Sequence, residues 1–223
     1  MKINIISRND SKGGAAIAAF RLHKSFESYR NQLKISSSMR VAYKCSNNKN
    51  VKKGNFRFSY ERVFLNNKIE RLFQKLQKSE NSNLHSLSFM PTNLHNEINN
   101  SNFDIVNLHW IQGGMISIEQ IAKIKKPIIW TLHDTWAFCG AEHYPNKLDD
   151  RRYIDGYRKN NVNKYARGLD LDRWCWNRKL KNWRNPIQIV CPSNWLANIS
   201  RKSLLMRNWP ITVIPNPLDL NIF

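Results

Sequence analysis

The stretch that decides the fold opens the chain: INIISRNDSKGGAAIAAFRLHKSFESY, residues 3–29. Residues 3–6 are an apolar run typical of a short buried strand, and residues 7–14 form a turn-rich loop that ends in Gly13 and Gly14. The residues after this loop have strong helical propensity, with apolar side chains recurring on one face. A strand, a glycine-rich loop and a helix in this order predict the first unit of an α/β domain.

The same alternation continues to the end of the chain. Further strands are predicted at 33–43, 84–89, 103–108 and 128–132, in IQIV (187–190) and in ITVI (211–214), with helices at 58–78, in ISIEQIAKI (116–124) and after Ser193. The strands are continuous apolar runs, which indicates a parallel sheet covered on both faces. We therefore predict one doubly wound, mostly parallel Rossmann-like α/β domain of six or seven strands over residues 1–223. Residues 44–56 are expected to be a basic loop, and residues 145–185 a polar insertion that carries its own helix.

The net charge of +20, from 36 Lys and Arg against 16 Asp and Glu, concerns the partners rather than the fold. It suits nucleic acid, an anionic membrane surface or a phosphorylated small molecule. The four cysteines are widely spaced with no C-x-x-C pair, which argues against a zinc knuckle and against a disulfide-stapled secreted domain. No apolar run approaches about 18 residues, the length of a membrane span. A cytoplasmic protein, soluble or peripheral, is the expectation.

The residues with chemical potential fall where predicted strands end. Ligands of an open parallel sheet bind at the carboxyl ends of its strands, and the loops there contain Gly13–Gly14, His109–Trp110, His133–Asp134 and Ser193. The glycine pair suits either a phosphate held by backbone N–H groups or a tight turn without a ligand.

The stretch WTLHDTWAFCGAEHY, residues 130–144, raises the question of a metal site together with His109. His133 and Asp134 suit contact with a hydroxyl or phosphate, or proton transfer, and the alternative is a structural histidine bonded to a carbonyl. His109 either has the same functional role or is part of a packing layer with Trp110. No pair of these residues has the regular spacing of a metal motif, so no metal is predicted. Glu142 and His143 are expected to line the cleft or to hold the loop.

The segment 171–185 predicts a basic aromatic helix. Trp176, Leu180 and Trp183 are expected on one face, surrounded by Arg178, Lys179, Lys181 and Arg184. This helix either docks on the domain or faces a membrane interface or a partner, since Trp with Lys and Arg suits the headgroup region.

Five ordered blocks carry a resemblance that covers nearly the whole chain: SKGGAAIAAFRLHKSF, FDIVNLHWIQGG, PIIWTLHDTWAFCGAEHY, IVCPSNWLANISRKSLL and VIPNPLDLNIF. Together they resemble the N-terminal half of a family 4 glycosyltransferase of the GT-B type. Such retaining enzymes build bacterial O-antigen (lipopolysaccharide), capsule and exopolysaccharide. The resemblance implies two Rossmann-like domains across a cleft, the N-terminal one binding the acceptor and the C-terminal one the nucleotide-sugar.

The resemblance also implies roles for individual residues. Gly13 and Gly14 match the loop that contacts the donor diphosphate, and His133, with Asp134 beside it, matches the catalytic position near the donor sugar. The acceptor side of the cleft would contain His109, Trp110, Glu142, His143 and Ser193. The implied donor is a nucleotide-sugar, the implied acceptor a lipid-linked or oligosaccharide one, and neither a metal nor another cofactor is implied.

Basic N-terminal domains of this kind dock on anionic membranes, so the resemblance implies a peripheral location on the inner face of the cytoplasmic membrane. The sequence stops at VIPNPLDLNIF, where the family enters its C-terminal nucleotide-sugar domain. We expect that domain to be absent from this chain, which is then a fragment or a truncated gene product, unless a separate chain supplies the missing half. The alternatives are a catalytically silent module that binds a membrane or a partner, and a basic nucleic-acid-binding domain. No recognition motif supports the second, so no nucleic acid partner is predicted.

Overall fold

A computed structural model describes residues 1–54, 59–145, 151–162 and 166–218 of the chain. The strands are β1 Lys2–Asn9, β2 Ser36–Tyr43, β3 Val51–Lys53, β4 Gln77–Lys78, β5 Ile105–Leu108, β6 Ile128–Thr131, β7 Arg167–Gly168, β8 Gln188–Cys191 and β9 Ile211–Val213. The helices are α1 Gly14–Ser28, α2 Arg30–Leu33, α3 Ser59–Gln74, α4 Leu94–Asn99, α5 Ile118–Ile121, α6 Arg152–Asp155, α7 Leu171–Asn182 and α8 Asn194–Lys202, with a 3-10 turn at Lys159–Asn161.

Within the described residues, seven strands form one parallel sheet in the order β3-β2-β1-β5-β6-β8-β9. The prediction of a Rossmann-like α/β fold is confirmed. The chain moves outward from β1 in one direction through β2 and β3, and in the other through β5 to β9. This reversal between β1 and β5 is the point where open α/β sheets form their ligand crevice. The small strands β4 and β7 pair with each other, antiparallel and outside the main sheet.

The core covers both faces of the sheet, because β1 sends its apolar side chains to opposite sides. Ile3 and Ile5 pack on one face with Ala19 of α1. Ile6 joins the larger cluster on the other face, which includes Trp130 of β6 and Trp176 of α7. The apolar runs in the sequence reflect this two-sided burial.

Two local predictions are wrong. Residues 84–89 form no strand and contribute one isolated bridge, from His85 to Glu142. Ser88 has a φ of 43°, which breaks the extended conformation. The predicted loop at 44–56 contains β3, which extends the sheet beside β2; residues 55 and 56 lie outside the described part.

The helix of the predicted insertion is α7, and its buried side chains belong to the main core. Trp176 and Trp183 are buried as expected, whereas Leu180 is 47% exposed. Lys179 is fully buried in its place, so the buried face is rotated from the predicted one. In the ranges that the structure describes, no helix is both long enough and apolar enough to cross a bilayer.

Candidate functional site

A cavity of about 640 Å³ opens at the carboxyl ends of β1, β5 and β6, at the point where the strand order reverses. Six of the residues predicted from the sequence line it: Gly13, Gly14, Trp110, His133, Asp134 and His143. They come from four separate segments, and the sheet brings them together because parallel strands end at one edge.

The glycine loop forms one wall of this cavity. Gly13 has φ 91° and ψ 154°, a conformation that essentially only glycine adopts. A Cβ atom at Gly13 or Gly14 would meet nothing within 4 Å, so the wall faces open space rather than packed atoms. Among the described residues no side chain caps α1, and its first turn contains no acidic residue. The free N–H groups and the dipole at this helix start therefore favour an anionic ligand.

Two cations beside this wall were not singled out from the sequence. Arg8 and Lys12 both line the cavity. The Arg8 guanidinium lies 5.0 Å from the ring centre of Tyr43 and 5.6 Å from that of Trp110. Stacking of this kind holds the planar guanidinium in place while its N–H groups remain available to a ligand. The signal in the sequence was the presence of two basic residues between the end of an apolar run and a glycine pair.

His133 projects from the end of β6 into the cavity, and His109 lies behind it. His109 Nδ1 and His133 Nε2 are 2.9 Å apart, and the two rings stack with centres 5.2 Å apart. Burial lowers the pKa of His133 to about 4, although the neighbouring Asp134 carboxylate opposes this shift. Burial, and then His133, lower the pKa of His109 well below its usual value. Both rings are therefore neutral at pH 7.

Asp134 uses its oxygens to hold neighbouring groups. Its Oδ2 accepts hydrogen bonds from Trp110 Nε1 at 3.1 Å and from His143 Nδ1 at 2.6 Å. Its Oδ1 accepts from the backbone N–H of Trp136 at 3.0 Å. His143 is fixed at its other nitrogen by the Ser86 hydroxyl, at 2.9 Å. The carboxylate thus orients the Trp110 and His143 rings, which stack with centres 5.5 Å apart.

Three residues predicted to line the cleft do not line this cavity. His109 is buried behind His133. Ser193 caps α8 by accepting from the backbone N–H of Leu196, so its hydroxyl is used in the helix start. Glu142 is buried on the opposite side of the loop, bonded to the Tyr157 hydroxyl and lining a separate narrow space of about 50 Å³. Because successive side chains of an extended segment point to opposite sides, His143 reaches the cavity and Glu142 does not.

Glu142 lies in an acidic environment that changes its ionisation. Burial, followed by the charge of Asp172, raises the pKa of Glu142 well above its usual range. The raised pKa favours the protonated carboxyl, which donates its proton where a carboxylate only accepts. The Glu142 carboxyl contacts Tyr157 inside the loop and does not line the 640 Å³ cavity.

The loop after β6 is held from beneath by Lys179 of α7. The ammonium of this lysine donates to the carbonyl oxygens of Trp136, Cys139 (3.0 Å) and Gly140 (2.6 Å). It also lies 3.8 Å from the centre of the Trp136 ring. Burial lowers the pKa of Lys179 to about 8, which leaves it mostly charged at pH 7. A lysine at this position was expected on the surface, and only the folded arrangement of the carbonyls explains its burial.

A second cavity of about 410 Å³ lies next to the first and shares Asn83 and Leu84 with it. Its lining is rich in amide and hydroxyl side chains, namely Gln74, Gln77, Ser79, Asn81, Ser82 and Asn83. Among the described residues, no group of three His, Cys, Asp or Glu side chains is placed to hold a metal ion.

The fold and the site define a Rossmann-like domain whose binding cleft lies at the switch point of its sheet. The family model described as Glycosyltransferase Family 4 matches residues 54–222, which include β5, β6 and the His133 loop. This match covers more than half of the chain, and the chain belongs to glycosyltransferase family 4. Membership implies transferase activity, with a nucleotide-sugar as donor and a sugar acceptor. A comparison with curated proteins finds no match.

Proposed function

We propose that the 640 Å³ cavity is the part of a glycosyl-transfer cleft that this domain contributes. The observation that supports this most is the combination of an anion-favouring wall with a neutral histidine in one cavity. The anion-favouring wall consists of Arg8, Lys12 and the start of α1, and the neutral histidine is His133. A nucleotide-sugar has the same two parts, a diphosphate and an uncharged sugar.

On this proposal the donor diphosphate lies against Gly13 and Gly14, where backbone N–H groups and the Arg8 and Lys12 side chains favour negative charge. These groups stabilise the diphosphate as it leaves, because charge builds up on it when the sugar–phosphate bond breaks. His133 then contacts the sugar beside the reacting carbon. Asp134 acts with it by fixing the neighbouring rings.

The acceptor enters from the side of Trp110 and His143. The amide-rich second cavity continues this side, and amide and hydroxyl groups suit the hydroxyls of a saccharide. We propose a lipid-linked or oligosaccharide acceptor and a role in O-antigen, capsule or exopolysaccharide synthesis. The C-terminal nucleotide-sugar domain of such an enzyme, on the same or another chain, would form the opposite wall.

An NMR titration tests the donor site. The ¹⁵N-labelled chain is titrated with UDP-, GDP- and dTDP-linked hexoses, and the amides of Gly13 and Gly14 are expected to shift with the matching donor. Lys12→Glu should weaken these shifts, whereas Lys24→Glu on the far part of α1 should not. Shifts confined to residues outside the cavity would refute the donor site. Binding without transfer to any acceptor, in the presence of the second domain, would support a catalytically silent module.

An exposed patch supports the proposed membrane location. Phe73 of α3, Leu76 in the turn after α3, Leu169 and Trp174 are each more than 40% exposed. They form one surface, because Leu169 N–H donates to the Leu76 carbonyl, and Phe89 contacts both Phe73 and Trp174. The basic side chains in this region of the chain include Lys75, Lys78 and Arg173.

We propose that this patch docks on the anionic inner face of the cytoplasmic membrane, each cation contributing on the order of 1 kcal/mol. Phe73→Glu should reduce sedimentation with phosphatidylglycerol vesicles, and Tyr29→Glu, a change of an exposed aromatic just after the end of α1, should not. Equal loss in both variants would contradict the patch. Retention on duplex DNA at about 0.2 M salt without vesicle binding would favour the nucleic-acid alternative.

A further inference from the structure

A chain of hydrogen bonds connects the interior of the sheet to His133. Asn107 lies in β5 and His109 comes just after its last residue, so the two side chains, two residues apart, lie on the same face. The Asn107 amide nitrogen donates to the Ile129 carbonyl and to the Thr131 hydroxyl, both at 3.0 Å. The Asn107 amide oxygen faces His109 Nε2 at 2.7 Å.

The Ile129 carbonyl fixes the direction of this chain. A carbonyl oxygen only accepts, so the amide group of Asn107 that faces it must be the NH₂. Turning the amide round would set its oxygen against the Ile129 oxygen with no proton between them. The Asn107 oxygen must therefore face His109, and His109 Nε2 must be the nitrogen that carries the proton.

The same logic then reaches His133. A neutral imidazole has one N–H, so a proton on His109 Nε2 leaves a lone pair on Nδ1. That lone pair faces His133 Nε2 at 2.9 Å, which makes His133 Nε2 the donor. The second ring nitrogen of His133, Nδ1, is left with a lone pair. Among the described residues it has no hydrogen-bond partner, and the side chain lines the cavity.

We propose that Asn107 and His109 are positioning residues that hold His133 in its Nε2–H tautomer, so that His133 Nδ1 accepts a hydrogen bond from a hydroxyl of the bound sugar. Only the naming of a sugar hydroxyl rests on the proposed function. The site therefore selects a group that donates a hydrogen bond at this place, and rejects one that only accepts, such as a ketone or an ether oxygen.

The wild-type chain is tested first, without ligand, by long-range ¹H–¹⁵N correlation of its histidine side chains at pH 7. A protonated ring nitrogen and one bearing a lone pair resonate far apart. We expect His109 and His133 each to show a protonated Nε2 and an unprotonated Nδ1. A proton on His133 Nδ1, or rapid averaging between the two tautomers, would overturn the proposal.

Two variants test whether the relay causes this state. Asn107→Leu removes the acceptor for His109, and His133 is expected to average between tautomers. Thr131→Val is the matched control, because it removes one partner of the Asn107 amide but keeps the Ile129 carbonyl that orients it. A single Nε2–H tautomer of His133 in folded Asn107→Leu would also overturn the proposal. If that variant does not fold, the wild-type spectrum still decides.

The two proposals fail separately. The tautomers are measured without ligand, so their result does not depend on whether a nucleotide-sugar binds. A failed nucleotide-sugar titration alongside the expected tautomers would refute the donor site and leave the relay.

Discussion

Replacing Lys179 by methionine is the sharpest test of how the His133 loop is held. Methionine keeps an apolar stem of similar length in the core and removes only the ammonium. The carbonyls of Trp136, Cys139 and Gly140 then lose their donor. In the described structure no backbone N–H reaches these three oxygens, so nothing nearby replaces the lysine.

The magnitude follows from two opposing terms. Leaving three buried carbonyls unsatisfied costs roughly 6 kcal/mol, at about 2 kcal/mol each. Against this, removing a buried charge relieves its desolvation. The pKa of Lys179 falls from 10.5 to about 8, a difference of about 2.5, which corresponds to about 3 kcal/mol. The net loss of stability for Lys179→Met is therefore about 3 kcal/mol, or about 6–12 °C in melting temperature for a chain of this size.

Urea unfolding at pH 7, followed by tryptophan fluorescence, measures this loss. Trp136 and Trp183 both lie close to the Lys179 ammonium, so their emission reports on the same region. The control is Lys181→Met, an exposed lysine on the same helix, for which we expect a change below about 0.5 kcal/mol. A Lys179→Met chain as stable as the wild type, or an equal loss in both variants, would refute the reasoning.

Three further changes have defined outcomes. Gly13→Ala should destabilise the chain by about 1–3 kcal/mol because of its φ of 91°, whereas Gly14→Ala, at ordinary φ, should not; equal melting temperatures would contradict this. His133 holds a pKa of about 4 against 6.5 when unfolded, so the unfolded chain binds more protons between these values and the wild type loses stability as pH falls from 6.5 to 4. His133→Gln should lose less unfolding free energy than the wild type between pH 6.5 and 4, as measured by urea unfolding. If the unfolding free energies of the two chains fell in parallel with pH, His133 would not be the cause of the loss. Arg178→Met removes two 2.7 Å hydrogen bonds to Glu119 and two hydrogen bonds to backbone carbonyls. It should lower the unfolding free energy by more than about 2 kcal/mol, and a loss below about 0.5 kcal/mol would contradict this.

The fold could be predicted because it rests on local patterns. Apolar runs of strand length, each followed by a turn and a helix, define a parallel sheet whatever the details of packing. The gathering of Gly13, Trp110, His133 and His143 at one cavity followed from the same reasoning, since parallel strands end at one edge. The strand predicted at 84–89 was wrong because Leu87 packs into the core from a segment of irregular backbone.

What could not be predicted depends on tertiary contacts between distant segments. Lys179 looks like any basic residue of a surface helix, and its burial requires three carbonyls from a loop about 40 residues earlier. Glu142 and His143 are neighbours in sequence, yet one bonds to Tyr157 inside the loop and the other reaches the cavity. The direction of the Asn107 relay is also invisible in sequence, because it depends on which carbonyl the amide meets.

Sugar transfer by the His133→Ala variant tests the central claim most directly. The variant and the wild type are compared in the presence of the second domain, with the matched nucleotide-sugar and acceptor, and circular dichroism confirms that both are folded. The cleft assignment predicts a turnover lower by about 100-fold or more, in the range expected for a group that acts at the reacting centre. Turnover within twofold of the wild type would place the chemistry elsewhere and contradict the assignment of this cavity.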